Sequence, residues 1–212
     1  MNRILVGCVL AAAHVVASGC APAIHAQGAS PRPDEQECRV LANRLGADPH
    51  SEAYRTALTS GLLASCGRVG ATAIARTLER YSTSGDSITL NGLRFNAGHV
   101  RDPAILDAAQ TVVESGSARL PYRILALEIL LRQVDVESAF TGSITALEAA
   151  HVGQFCVINY VGRDAYRSEQ AMPQDYVSRI AEVTASVTAN TSNPQVLRDL
   201  AACVHRAVAP GP

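Results

Sequence analysis

Histidine, cysteine and carboxylate side chains could perform chemistry in this chain only if the fold brought distant segments together. Beyond the N-terminal region the histidines are His50, His99, His151 and His205, and none forms the HxxxH pair that binds zinc on one helix face. No CxxC is present, which argues against a thioredoxin-like redox role. The sequence therefore predicts neither a metal ion nor a cofactor.

The basic residues narrow the possible reactions further, because all 18 of them are arginine. Without lysine there is no Schiff base, no Ser–Lys dyad and no Walker-type phosphate loop. Ser65-Cys66-Gly67 contains nucleophile types, but the G-x-S-x-G motif is absent. Asp102 and Asp107 could be taken for paired catalytic carboxylates, but helix capping by Asp102 and a solvated helix face at Asp107 explain both residues. We therefore predict no catalytic residue and favour a non-enzymatic protein.

The N-terminal residues resemble a targeting segment. Arg3 precedes an apolar run over 4–16, which has the length of a signal-peptide core. One interpretation places cleavage after Ala26 and leaves a secreted or periplasmic protein. The other treats Ala17-Ser18-Gly19-Cys20 as a bacterial lipobox, with Cys20 lipidated and anchoring the protein in the envelope. Both interpretations predict an exported bacterial protein.

The remaining chain divides into a short tether and one domain. Residues 27–34 are rich in proline, serine and glycine, and we expect them to be disordered. Residues 35–209 show helical periodicity, and 48% of the whole chain is hydrophobic, which suits a single domain with a sizeable core. The formal charge of -1 gives no reason to expect nucleic acid as a partner.

Loss of Cys8 and Cys20 with the leader leaves four cysteines in an oxidising compartment, where disulfides are the default. Three pairings are possible, and we favour Cys38–Cys66 and Cys156–Cys203. Cys38 lies near the start of one predicted helix and Cys66 near the end of the next, antiparallel one. Cys156 and Cys203 lie at similar depths in two helices expected to run parallel. The four predicted disulfide cysteines are thus Cys38, Cys66, Cys156 and Cys203.

Two consecutive helices over 101–134 form the predicted centre of the fold. Asp102 is suited to cap the first helix and Pro103 to its first position. The second helix is apolar on nearly every side, apart from Glu128 and Arg132 at i,i+4 spacing. Such a helix must be covered by neighbours on both sides. The predicted fold class is therefore all-α, with antiparallel helix pairs stacked on each other.

Residues 82–100 are the least regular internal part of the sequence. Asn91-Gly92, flanked by short apolar runs, favours a small β-hairpin near 88–95. A helical turn within a long loop is an equally good interpretation. Residues 162–172 are polar and are predicted to form a surface loop.

The segment 101–133 resembles one HEAT-type repeat. A first helix opens at Asp-Pro, and the second carries Arg123, Ala126, Leu127 and Leu130 where HEAT repeats carry Arg, Ala and Leu. The resemblance implies a short α-solenoid, with an irregular helical domain as the alternative. HEAT-like stacks act as protein-binding scaffolds, so the resemblance also implies an unknown protein partner.

Clusters of arginine with aromatic residues are the candidate interaction surface, because both types are enriched in binding hot spots. The first cluster is Arg94, Phe95, His99 and Arg101; the second is Tyr160, Arg163, Tyr166 and Arg167. We expect a protein-binding or envelope-scaffolding domain. The alternatives are an enzyme or accessory domain whose site is built from loops 82–100 and 162–172, and a helical domain with a small-ligand cavity. We expect association with a membrane only through a lipid anchor at Cys20.

Overall fold

A computed structural model describes residues 33–98, 100–133, 166–167 and 173–209. This part of the chain contains eight α-helices: α1 (Glu35–Arg44), α2 (Glu52–Thr59), α3 (Gly67–Tyr81), α4 (Ser87–Ala97), α5 (Pro103–Glu114), α6 (Leu120–Gln133), α7 (Tyr176–Ala189) and α8 (Gln195–Val208). A 3-10 helix (Leu62–Ser65) precedes α3, and two short strands, β1 (Val100–Arg101) and β2 (Tyr166–Arg167), pair in parallel.

Consecutive helices form pairs, and the pairs stack in two rows. Along one row α1 packs on α3, α3 on α5 and α5 on α7; along the other α2 packs on α4, α4 on α6 and α6 on α8. The pair α5–α6 is antiparallel, because Arg123 near the start of α6 bonds to Val113 near the end of α5. The predicted all-α class with stacked helix pairs is confirmed.

Side-chain caps explain where four of the helices begin. Asp34, Ser51, Asp86 and Asp102 each accept a hydrogen bond from a backbone N–H in the first turn of α1, α2, α4 and α5. These bonds satisfy donors that have no partner within the helix. Pro103 follows Asp102 at the start of α5, as the sequence predicts.

Helix α6 is the most completely enclosed element of the described fold. Each residue from Tyr122 to Leu131 is buried, including all of its large aliphatic side chains. It contacts α5, α4 and α8, which cover it from different sides. Burial of each large aliphatic side chain contributes about 1.5–3 kcal/mol, so α6 dominates the core as predicted.

Three buried polar side chains fix α6 to its neighbours. Arg123 donates to the Val113 carbonyl at 2.9 Å and to Oδ1 of Asn193 at 2.8 Å. Glu128 is only 1% exposed and forms an ion pair with Arg132 at 2.7 Å, as predicted, and a second one with Arg94 of α4 at 2.8 Å.

Gln133 makes the third connection, at the end of α6. Its amide nitrogen donates to the Val100 carbonyl at 3.1 Å, and its oxygen accepts from the Asp102 backbone N–H at 3.2 Å. These bonds position β1 and the start of α5 against the end of α6. Buried polar groups are costly unless paired, so the three side chains specify how the neighbouring elements are placed.

The hairpin predicted near 88–95 is wrong, because this segment is helix α4. Asp86 caps the helix by accepting from the Thr89 N–H at 2.8 Å, and this bond lowers the pKa of its carboxyl group. Gly92 is needed here for close packing rather than for a turn: a Cβ at this position would lie 2.4 Å from Cγ of Leu58. Tertiary packing against α2 overrides the local turn preference of Asn91-Gly92.

The predicted disulfide between Cys38 and Cys66 is present, with Cα atoms 5.4 Å apart. The predicted geometry behind it is wrong, because the second helix ends at Thr59 and Gly61 adopts a left-handed conformation (φ 70°). Cys66 therefore precedes the start of α3. The disulfide joins the first turn of α1 to the residue that precedes α3, and the two helices run in the same direction.

Several predictions fall on residues that the structure does not describe. They include the leader over 1–26 with Cys20, most of the tether over 27–34, and Cys156. Cys203, buried in α8, is disulfide-bonded, while its pairing with Cys156 stays a prediction. Within the described residues, no helix has both the length and the apolarity required to cross a bilayer.

Replacement of Gly92 tests the assignment of α4. We expect Gly92→Ala to lower the free energy of unfolding by about 1–3 kcal/mol, because the added methyl overlaps Leu58. Gly116→Ala is the matched control, since its Cβ would meet nothing within 4 Å. Urea denaturation of both variants measures the difference. Equal stability of the two would contradict the close packing of α2 on α4.

Asn193 provides a second test, because it links α6 to the connection between α7 and α8. Its side-chain nitrogen donates to the Val187 carbonyl at 3.0 Å, while its oxygen receives the bond from Arg123. Asn193→Ala leaves a buried guanidinium without this acceptor, and we expect a loss of about 2 kcal/mol in thermal or urea denaturation. Asn190→Ala, which removes only an exposed bond to the Ser192 N–H, should cost less than about 1 kcal/mol.

Candidate functional site

A groove of about 1000 Å³ lies between α1 and α3 on the outside of the first row. Helix α1 contributes Ala42 to its lining, Gly46 follows the end of α1, and α3 contributes Val69 and Ala73. These small and medium apolar residues form a low floor, because their side chains rise little above the helix backbones. The groove is therefore a concave surface that a chain segment or ligand could enter.

Four residues at four-residue spacing form one edge of this groove: Arg68, Thr72, Arg76 and Arg80, all on α3. Residues four apart lie on the same helix face, about 6 Å apart along the axis. The three arginines are exposed. They therefore place positive charge along about 18 Å of the groove.

The two helices that form the groove are connected near both of its ends. At one end the disulfide joins Cys38 of α1 to Cys66, which immediately precedes α3. At the other end Nη1 of Arg80 approaches the Gly46 carbonyl at 3.5 Å, and its guanidinium lies 5.2 Å from the ring centroid of Tyr81. We infer that the width of the groove is held by covalent and polar contacts as well as by packing.

Two buried tyrosines of the described core have shifted pKa values. Burial raises the pKa of Tyr54 to about 12, and the Tyr54 hydroxyl lies 3.2 Å from the hydroxyl of Thr89. Burial also raises the pKa of Tyr122, whose hydroxyl donates to the Asp86 carbonyl at 3.2 Å. Both raised pKa values come from burial, so these hydroxyl groups serve as structural hydrogen-bonding groups rather than as reactive ones.

The predicted interaction surface is only partly described. Phe95 is 55% exposed and its ring lies against Gly61, where a Cβ would come within 2.5 Å of it. Arg94, from the same helix, is directed towards the buried carboxylate of Glu128. His99, Tyr160 and Arg163 lie outside the described residues.

The backbone brings parts of the two predicted clusters together. Strand β1 places Val100 beside Tyr166 and Arg101 beside Arg167 of β2. Residues 66 positions apart in the sequence therefore meet at this point. The role of these residues in binding stays a prediction.

Sequence reasoning missed the groove, although part of its signature is visible in the sequence. The spacing of Arg68, Thr72, Arg76 and Arg80 indicates one helix face, but it does not show that α1 lies beside that face. Among the described residues no group of three or more His, Cys, Asp or Glu side chains could hold a metal ion. Comparison with family models, curated proteins and solved structures gives no match for this chain.

The disulfide at the end of the groove is expected to stabilise the fold. It closes a loop with a sequence separation of 28, and such a crosslink is worth about 3 kcal/mol. We therefore expect Cys38→Ala/Cys66→Ala to lower the free energy of unfolding by about that amount in urea denaturation. Substitution is preferable to a reductant, because Cys203 is also disulfide-bonded.

Val40→Ala is the control for this double variant, since Val40 lies on the same helix and is 42% exposed. Exposed substitutions of this kind change stability by about 0.5 kcal/mol or less. A double variant as stable as the control would show that helix packing alone holds α1 against α3.

Proposed function

We propose that this chain is an exported, non-enzymatic helical-repeat domain that binds another protein through the groove between α1 and α3. The observation that carries the proposal is the groove itself: a concave surface of about 1000 Å³ with three exposed arginines along one edge. Arginine is enriched at protein-binding hot spots. Stacked helix pairs commonly present extended binding surfaces of this kind.

The size and the lining of the groove favour a polypeptide over a small ligand. Pockets for small molecules occupy about 300–1,000 Å³ and usually enclose most of the ligand. This groove is at the upper end of that range and lies open along two helices. An elongated segment of a partner would use its length better than a compact molecule would.

Export is supported by the chemistry of the cysteines as well as by the leader-like sequence. The bond between Cys38 and Cys66 and the disulfide-bonded state of Cys203 fit an oxidising compartment. The proposal includes both routes from the sequence: cleavage after Ala26, or lipidation of Cys20.

The enzyme alternative draws support from one observation, the pairing of β1 with β2, which brings the end of segment 82–100 beside the middle of segment 162–172. The first of those segments is largely helix α4, however, and two of its buried polar side chains have structural partners. Thr89 contacts Tyr54, and Asn96 donates to the Leu58 carbonyl at 2.5 Å. These two polar side chains therefore serve the fold rather than a substrate, so protein binding is the better-supported function.

Site-specific photo-crosslinking in the native host tests the proposal. A photoreactive residue in place of Thr72, which lies on the edge of the groove, should give a discrete adduct with a partner protein. The same residue in place of Ser186, which is exposed on α7, should not. Mass spectrometry identifies the partner protein in the adduct. The same method tests export, because the isolated protein should begin at Gln27 or at a lipidated Cys20.

Two results would contradict the proposal. Adducts that form equally from position 72 and position 186 would indicate nonspecific proximity. An unprocessed N-terminus on protein that stays in the cytoplasm would remove the export half. A photoreactive residue in place of Phe95, which is exposed, tests whether the partner also contacts the interaction surface predicted from the sequence.

A further inference from the structure

The three arginines of the groove have no carboxylate partner within the described residues, and what sets them apart from Arg44 and Arg55, which also have none, is that they lie together along one groove. Arg39, Arg94, Arg132 and Arg179 each form an ion pair with an Asp or Glu side chain. Arg68, Arg76 and Arg80 form none with any residue that the structure describes. The groove therefore collects positive charge that the described protein does not neutralise, and it would attract an anionic ligand.

The rest of the lining suits a polypeptide better than a dense polyanion. Val69 and Ala73 offer apolar contacts, while Asn43 and Thr72 offer neutral hydrogen-bonding groups that could pair with a peptide backbone. Glu79 also lines the groove and would repel closely spaced phosphates. Nucleic acids present one negative charge every few ångströms, so Glu79 would face several of them.

The surroundings of the groove also disfavour a membrane surface. The first turn of α1 carries Glu35 and Glu37, next to the cap Asp34, and the whole chain has a formal charge of -1. A flat anionic surface would have to approach these acidic residues together with the arginines. A narrow segment that enters the groove can contact the arginines alone.

We propose that the groove between α1 and α3 binds an extended acidic segment of a partner protein, whose carboxylates contact Arg68, Arg76 and Arg80. This inference rests on the proposed protein-binding function and adds the chemistry of the partner. Bonds between guanidinium and carboxylate groups are charge-assisted and can be bidentate, which gives them both strength and direction.

The spacing of the arginines predicts the spacing of the acidic residues. Arg68 and Arg76 are about 12 Å apart along α3, and Arg76 and Arg80 are about 6 Å apart. In an extended strand, residues on one face repeat at about 6.6 Å. Acidic residues at the first, fifth and seventh positions of a segment would therefore face the three arginines, with the third position opposite Thr72.

The test uses the purified full chain and synthetic seven-residue peptides. The probe carries glutamate at positions one, five and seven, with serine and alanine elsewhere. One control peptide has glutamine at those positions, and a second has the same three glutamates in consecutive positions. Heteronuclear NMR titration should show saturable shifts of backbone amides in α1 and α3 with the probe, with affinity at least about tenfold weaker for each control peptide.

Matched variants locate the contact. Arg68→Gln/Arg76→Gln should weaken binding of the probe by about tenfold or more. Arg44→Gln/Arg55→Gln removes the same charge from exposed arginines outside the groove and should change the affinity by less than about twofold. Arg80 is left intact because it also contacts Gly46 and Tyr81. Urea denaturation should show that both variants are as stable as the parent.

The inference is overturned if the glutamine peptide binds as well as the probe, or if Arg68→Gln/Arg76→Gln leaves binding unchanged. It is also overturned if the probe does not bind while a single-stranded oligonucleotide or phosphatidylglycerol vesicles do. An adduct from position 72 with a partner that has no acidic segment would reject the inference but keep the proposed function. Binding of the probe without any adduct in the host would reject the proposed function instead.

Discussion

The complete burial of α6 is the constraint on which the described fold depends. A helix that is apolar on nearly every side cannot stand at a surface, so α4, α5 and α8 must each cover part of it. Apolar burial alone would leave those neighbours free to slide. Arg123, Glu128 and Gln133 remove that freedom, because each is buried and satisfied only when a particular neighbour is in place.

The same constraint explains where a binding surface can form. The faces of the neighbouring helices that contact α6 are used for packing, and the buried polar side chains there serve as anchors. Helix α1 is the first described member of its row and contacts α3 beside it. The covalent bond between Cys38 and Cys66 supplements this smaller contact, which leaves the outer faces of α1 and α3 available to form a groove.

Sequence reasoning succeeded where local chemistry and burial agree. Asp102 followed by Pro103 starts α5 as expected, and the apolar pattern of α6 identified the centre of the core. It failed where a distant contact decides the outcome. Asn91-Gly92 favours a turn locally, yet Gly92 lies in a helix because Leu58 of α2 packs against it. Likewise, the sequence around Asn193 does not show that its side chain binds Arg123 and the Val187 carbonyl.

The groove between α1 and α3 could not be predicted from the sequence for a related reason. Because every basic residue is arginine, residue type alone cannot separate structural cations from those available to a ligand. The burial of each arginine and its hydrogen-bond or ion-pair partners distinguish the two groups. Burial lowers the pKa of Arg123, which is held by two acceptors, and Arg94 and Arg132 share one buried carboxylate. Arg68 and Arg76 are exposed and do not hold neighbouring helices together in this way. They can therefore be replaced with little cost in stability. A loss of binding on their replacement reports on recognition rather than folding.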